Sequence, residues 1–129
     1  MVMSEAITRG VAVSVRSFYV AERSDPMRDY YFFAYRVRIA NVGDESVKLV
    51  SRHWIITDGE NAVEEVKGPG VVGEQPVLEP SESYEYTSAC PLSTPVGTMQ
   101  GTYQMVLKSG EGFDAEIAPF TLAAPNALN

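Results

Sequence analysis

The chain is 129 residues long and 45% hydrophobic, with ten glycines and eight prolines, a size that suits one globular domain burying about two thirds of its unfolded surface. Ten Lys and Arg stand against 17 Asp and Glu, a net charge of -7, so duplex nucleic acid and anionic membrane surfaces are repelled at long range. The basic residues of the central third, Arg36, Arg38, Lys48, Arg52 and Lys67, leave room only for a small anion held locally.

At the N-terminus, MVMSEAITRG lacks the basic start and apolar core of an export signal, and nowhere does an apolar run approach the roughly 20 residues that cross a bilayer. Residues 11–20, VAVSVRSFYV, alternate Val11, Val13 and Val15 against polar or small neighbours and then change phase at Phe18, which predicts a strand with a bulge near Ser17. Asp25-Pro26 marks a turn within the polar stretch that follows. In YYFFAYRVRIAN, Tyr31, Phe33, Tyr35, Val37 and Ile39 share one face, with Arg36 and Arg38 on the other. That is a half-buried strand of high β-propensity.

NVGDES turns the chain into VKLVSRHWIITD, a strand of mixed phase ending at Asp58-Gly59-Glu60-Asn61. A short strand AVEEV leads to the glycine segment, and Pro76 and Pro80 bracket VLE, which excludes a helix there. Tyr84 and Tyr86 alternate with Glu85 and Thr87, CPLSTPVG reads as a loop, and two last strands are joined around Gly110-Glu111-Gly112. No stretch longer than about ten residues carries the i, i+3, i+4, i+7 apolar pattern of a helix. The expected fold is therefore all-β: seven or eight strands in an antiparallel sandwich of the immunoglobulin or fibronectin type III kind, one domain over 1–129 with an ordered core of about 10–124. A single cysteine, Cys90, rules out an inter-sheet disulfide and points to a reducing cytoplasm.

KGPGVVGEQP places Gly68, Gly70 and Gly73 at the G-x-G-x-x-G spacing. In a dinucleotide-binding fold those glycines open a helix whose N-terminus holds the pyrophosphate. No helix follows here, so the phosphate reading reduces to a nest of backbone amides in a loop, set against glycines that merely supply positive φ. His53 and Trp54 could be a base and a binding platform, but the sequence offers His53 no nucleophile and no orienting group. Strand alternation places Trp54 with Ile56 on one face, as a core anchor, and His53 with Ile55 on the other. Asp58, Glu60, Glu64, Glu65, Asp114 and Glu116 match no metal-binding loop, and one His with one Cys cannot close a transition-metal site. Cys90 has no basic neighbour to activate it, and no serine lies in G-x-S-x-G. No catalytic residue, metal or cofactor is expected.

SRHWIITDG, EEVKGPGVVGEQPVLEP, YEYTSACPLSTPVGTMQGTYQMV and IAPFTL, in that order over nearly the whole chain, resemble the bacterial ApaG family. Gly68, Gly70 and Gly73 match its glycine motif, as do the neighbouring Glu74, Gln75 and Pro76; Ser81, where the family often has glycine, and the Cys90-Pro91 pair depart from it. The resemblance implies a fibronectin type III-like sandwich, a link with cobalt resistance and magnesium efflux, and genomic association with diadenosine tetraphosphate hydrolysis. It brings no established reaction; similar domains occur in eukaryotic F-box proteins and in a DNA polymerase-interacting protein. The expectation is a cytoplasmic, non-catalytic interaction module with a protein partner, a homodimer through a hydrophobic edge strand being one arrangement. The alternative is a binder of a nucleotide, pyrophosphate or other phosphate-bearing ligand through the glycine loop.

Overall fold

A computed structural model describes residues 2–125 and 127 of the chain. Among these residues nine strands follow one another: β1 (Val2–Thr8), β2 (Val11–Tyr19), β3 (Tyr31–Asn41), β4 (Val47–Asp58), β5 (Val63–Pro69), β6 (Val77–Leu78), β7 (Ser83–Leu92), β8 (Val96–Leu107) and β9 (Gly112–Ala123). One antiparallel sheet has the order β1-β2-β3-β7 and the other β5-β4-β8-β9, with β6 paired to β4 beyond the end of β5. The expected immunoglobulin- or fibronectin-like sandwich is the fold, with nine strands in place of seven or eight. Two short 3-10 turns, Ala21–Arg23 and Pro26–Arg28, fill the connection where Asp25-Pro26 predicted a turn.

The added strand, β1, begins at Val2, ahead of the ordered core expected from about residue 10. It carries no apolar alternation because its large side chains point the wrong way for one: Met3 and Ile7 are exposed, while Ser4, Ala6 and Thr8 face inward. Small inward residues bring β1 close to β9, where Thr8 Oγ1 accepts the Glu116 N–H at 3.0 Å. The same closeness corrects the bulge expected near Ser17. Strand β2 keeps an unbroken register with both neighbours, and Ser17 itself is buried, its hydroxyl donating to the Thr121 carbonyl at 2.8 Å. Phe18 therefore faces out, and the apparent change of phase is an inward serine satisfied by a backbone acceptor.

The irregularities lie elsewhere. Val50 is an extra residue in β4 between Leu49, opposite Met105, and Ser51, opposite Gln104. In β9, Ala118 and Pro119 together stand opposite the single Gln100, since Met99 pairs with Phe120 and Gly101 with Ile117; a proline inside a strand is tolerated at such a site because no ladder N–H is required of it. The segment CPLSTPVG, expected as a loop, is mostly strand, since β7 runs through Leu92 and β8 starts at Val96.

Between the sheets, Phe33, Val37, Ile39, Leu49, Met99, Tyr103, Met105, Ile117 and Leu122 are fully buried. Trp54 sits at their centre, edge-on to Tyr35, Tyr103 and Phe120 at centroid distances of 5.3, 6.2 and 6.0 Å, an arrangement favoured by the ring quadrupoles. Asn41, also buried, joins three connections. Its Nδ2 donates to the carbonyls of Glu45 and Leu78 at 2.8 and 2.9 Å, and its Oδ1 accepts the Gly43 N–H at 3.0 Å. Replacing Asn41 with Ala strands two carbonyls and one amide; urea unfolding should show a loss of about 2 to 4 kcal/mol at unchanged m. A loss under about 1 kcal/mol would mean that water replaces the side chain.

Candidate functional site

Strand β4 separates two faces of the molecule, and the bulge at Val50 decides which residue goes to which. Val47 and Leu49 point inward; one residue later the phase has reversed, so that Arg52, Trp54 and Ile56 point inward and Ser51, His53 and Ile55 outward. The Val50 carbonyl, facing β5, accepts the Gly70 N–H at 2.9 Å, one step beyond the pair of Ser51 with Pro69, and the Gln75 side-chain amide at 2.9 Å.

That contact explains the glycine segment. Gly70 has φ +60°, and a Cβ there would lie 2.2 Å from the Glu74 carbonyl oxygen. Val71 and Glu74 exchange backbone hydrogen bonds, each of 2.8 Å, around Val72 and Gly73, whose φ values are +47° and +79°. Positive φ at both central positions is the pattern of a tight two-residue hairpin turn. The N–H groups of Gly70, Val71 and Glu74 are thus spent on backbone carbonyls. Gly68 is different: it lies within β5 opposite Arg52, and the guanidinium lies flat across it, 3.0 to 3.2 Å from where a Cβ would be. Arg52 Nη1 donates to the carbonyls of Pro69 and Gly70 at 3.0 and 2.9 Å.

The candidates named from sequence are therefore divided. His53, Gly68 and Gln75 line an open depression of about 510 Å³ on the outer face, with Ser51, Lys67 and Gln104. Gly70, Gly73 and Glu74 belong to the turn beside it. In that depression His53 Nε2 and Glu65 Oε1 share a hydrogen bond of 2.7 Å, while the Ser51 hydroxyl donates to Gln104 Oε1 at 2.8 Å. A histidine with an orienting carboxylate is present; the Ser51 hydroxyl is committed to Gln104, and the Thr102 hydroxyl, opposite His53 on β8, accepts the Gln104 side-chain amide at 2.8 Å, so neither hydrogen-bonds the imidazole.

Trp54 lies on the other side of the ribbon, at the floor of a cleft of about 300 Å³ between β5 and β7. Its walls hold Tyr35, Arg52, Ser88 and Cys90, with Glu64 and Val66 from β5. Sequence reasoning counted Arg52 only as one of several central basic residues; its alternation with Trp54 and Ile56 was the available signal, hidden by the bulge. Deeper in, the hydroxyls of Tyr86 and Tyr103 hydrogen-bond to each other. Among the described residues no group of three or more His, Cys, Asp or Glu is placed to hold a metal ion.

Comparison with known proteins supplies the family. The ApaG domain model, DUF525, matches residues 21–107. The chain belongs to the ApaG family. It is 55% identical to Protein ApaG of Thiobacillus denitrificans over 127 residues, 98% of this chain and 100% of that one. Protein ApaG of Bordetella pertussis is 56% identical over 119 residues, 92% of this chain and 91% of the relative. A crystallised Bordetella pertussis protein assigned as ApaA superimposes with a TM-score of 0.88 at 56% identity, over 90% of this chain and 94% of that one. The C-terminal domain of wzt, at 7% identity and a TM-score of 0.54, shares the fold alone. All of the residues that build the cleft and the glycine turn fall within the span of the family match.

Burial also sets the chemistry of the cleft. It pushes the Cys90 thiol up to about 11 from its ordinary 9.0, with the Glu64 carboxylate adding to the effect. Tyr35, Tyr86 and Tyr103 are likewise raised above the ordinary phenol value of 10.0, burial being the largest cause in each. A thiol held protonated is a poor nucleophile. These groups stay neutral in the folded chain where their unfolded counterparts have lost a proton, so their stability contribution is complete at low pH and declines as pH rises past 9.0 and 10.0. Melting temperature should stay level from about pH 7 to 8.5 and fall above about pH 9, as the unfolding free energy drops by up to about 1.4 kcal/mol per pH unit for each group. A level melting temperature up to about pH 11 would contradict this burial.

Proposed function

We propose that the chain is a non-catalytic binding module that takes an extended segment of a protein partner along the free edge of β5. The observation that carries this is the combination of an unpaired strand edge with an open cleft directly behind it. The hydrogen bonds Gly70 N–H to Val50 and Asp58 N–H to Ala62 set the alternation of the antiparallel ladder. Even-numbered residues of β5 bond to β4, and the N–H and C=O groups of Val63, Glu65 and Lys67 point to the open side. Pro69, which has no N–H, ends that row. An added strand gains main-chain hydrogen bonds from the edge and places alternate side chains in the cleft.

Three features support a module over an enzyme: the Ser51 and Thr102 hydroxyls bond Gln104 and not His53, the Cys90 thiol is held protonated, and no three of the described His, Cys, Asp and Glu residues gather at one point. A connection with cobalt resistance and magnesium efflux, which the family resemblance implies, is then indirect and runs through the bound partner. No helix among the described residues is long and apolar enough to cross a membrane. The phosphate-ligand alternative draws less support, since three amides of the glycine turn already donate within the chain.

A randomised library of extended peptides panned on the purified protein tests the reading, with hydrogen exchange followed on each amide. Binders should slow exchange at Val63, Glu65 and Lys67; binders whose protection maps to other strands would overturn it. Millimolar pyrophosphate, added to the same sample, should leave the amides of residues 67–75 without saturable shifts.

A further inference from the structure

The cleft behind β5 carries opposite charges at its two ends, and this gives the binding edge an order. The inward positions of β5 are Glu64, Val66 and Gly68, opposite Ile56, Trp54 and Arg52 of β4. Residues on one face of a strand repeat every two positions, about 6.6 Å apart, so the ends of this row are separated by about 13 Å. At one end Gly68 has no side chain, and the Arg52 guanidinium occupies that space, reaching across β5 toward the free edge. In the middle Val66 covers the buried Trp54. At the far end Glu64 is exposed and lies near enough to Cys90 to raise the thiol.

Among the described residues, the ion pairs are Arg9 with Glu111, Arg28 with Asp25, Arg36 with Glu85, and His53 with Glu65; neither Arg52 nor Glu64 takes part in one. Arg52 is half-buried, and among the described residues its bonds are to the neutral carbonyls of Pro69 and Gly70. A guanidinium partly removed from water and lacking a carboxylate is a strong attractor for one, because charge-assisted bonds are the strong ones.

Resting on the strand-addition reading above, we infer that the preferred partner segment runs antiparallel to β5 and carries, at alternate positions from its N-terminus, an acidic, an apolar and a basic residue. Directly opposite residues of an antiparallel pair share a face. The acidic side chain then meets Arg52 beside Gly68, the apolar one packs beside Val66 over Trp54, and the basic one meets Glu64. The segment is neutral overall, so the net charge of -7 does not repel it. Specificity comes from the reversed case, where a basic residue beside Arg52 and an acidic one beside Glu64 place like charges together.

The test uses the full chain and three fluorescent peptides with a Thr-Asp-Thr-Leu-Thr-Lys-Thr core, the same core with Asp and Lys exchanged, and the same core with Asn and Gln in their places. The first should bind at least tenfold more tightly than the exchanged peptide and slow amide exchange at Val63, Glu65 and Lys67. The exposed Glu64→Lys variant, which leaves the Arg52 clamp intact, should lose that preference and favour a core with Asp at both charged positions. If the exchanged peptide binds equally well or better while protecting the same amides, the charge order is wrong and strand addition stands. If none of the peptides protects the edge, both readings fall.

Discussion

At Val50 the fourth strand holds one residue more than the eighth, and every side chain beyond it changes faces. An unbroken β4 would carry the odd-numbered positions inward, burying His53 and Ile55 and turning Arg52 and Trp54 out to solvent. The extra residue instead places Trp54 among Tyr35, Tyr103 and Phe120 and brings Arg52 to the cleft wall. The bulge disturbs only the pairing with β8; toward β5 the Val50 carbonyl continues the ladder by accepting the Gly70 amide, and it accepts the Gln75 side chain as well.

The glycine spacing follows from the same constraint. The chain must leave β5, bond the bulge and reverse at once to form β6 against Val47 and Lys48. Gly70 is needed because Glu74 O occupies the place of a Cβ, Gly73 because its φ is +79°, and Gly68 because Arg52 lies across it. Three separate local reasons produce a G-x-G-x-x-G pattern with no helix behind it. Val72, exposed and β-branched at φ +47°, is the one residue of the turn whose conformation its own side chain opposes.

How much of this was legible depended on whether a strand's inward residues were its large ones. In β3 they are, and Phe33, Tyr35, Val37 and Ile39 were read correctly from alternation alone. In β1 they are Ser4, Ala6 and Thr8, so hydropathy carried no trace of the strand. Ser17 in β2 imitated a bulge because a satisfied hydroxyl took an apolar position, while the real bulge at Val50 registered only as mixed phase. The separation of His53 from Trp54 was legible, being a property of neighbours along one strand. The cleft was not, since it is assembled from β3, β4, β5, β7 and β8, and no local pattern reports which edges are left facing each other.

The two sides of the sandwich differ for a reason that bears on what it does. Where β1 meets β9 the inward groups are small, the sheets approach, and Thr8 and Ser17 hydroxyls bond across. Where β5 faces β7, the large rings of Tyr35, Trp54, Tyr86 and Tyr103 hold the sheets apart. Leucine or phenylalanine in place of those tyrosines would fill the space without hydroxyls to satisfy, and burial of a phenol is tolerated here only because Tyr86 and Tyr103 bond to each other. A core built for stability alone has no use for that arrangement, nor for a half-buried guanidinium bonded only to carbonyls. Both make sense if the open side is completed by another chain, whose strand would supply the missing carboxylate and cover the edge that the fold leaves bare.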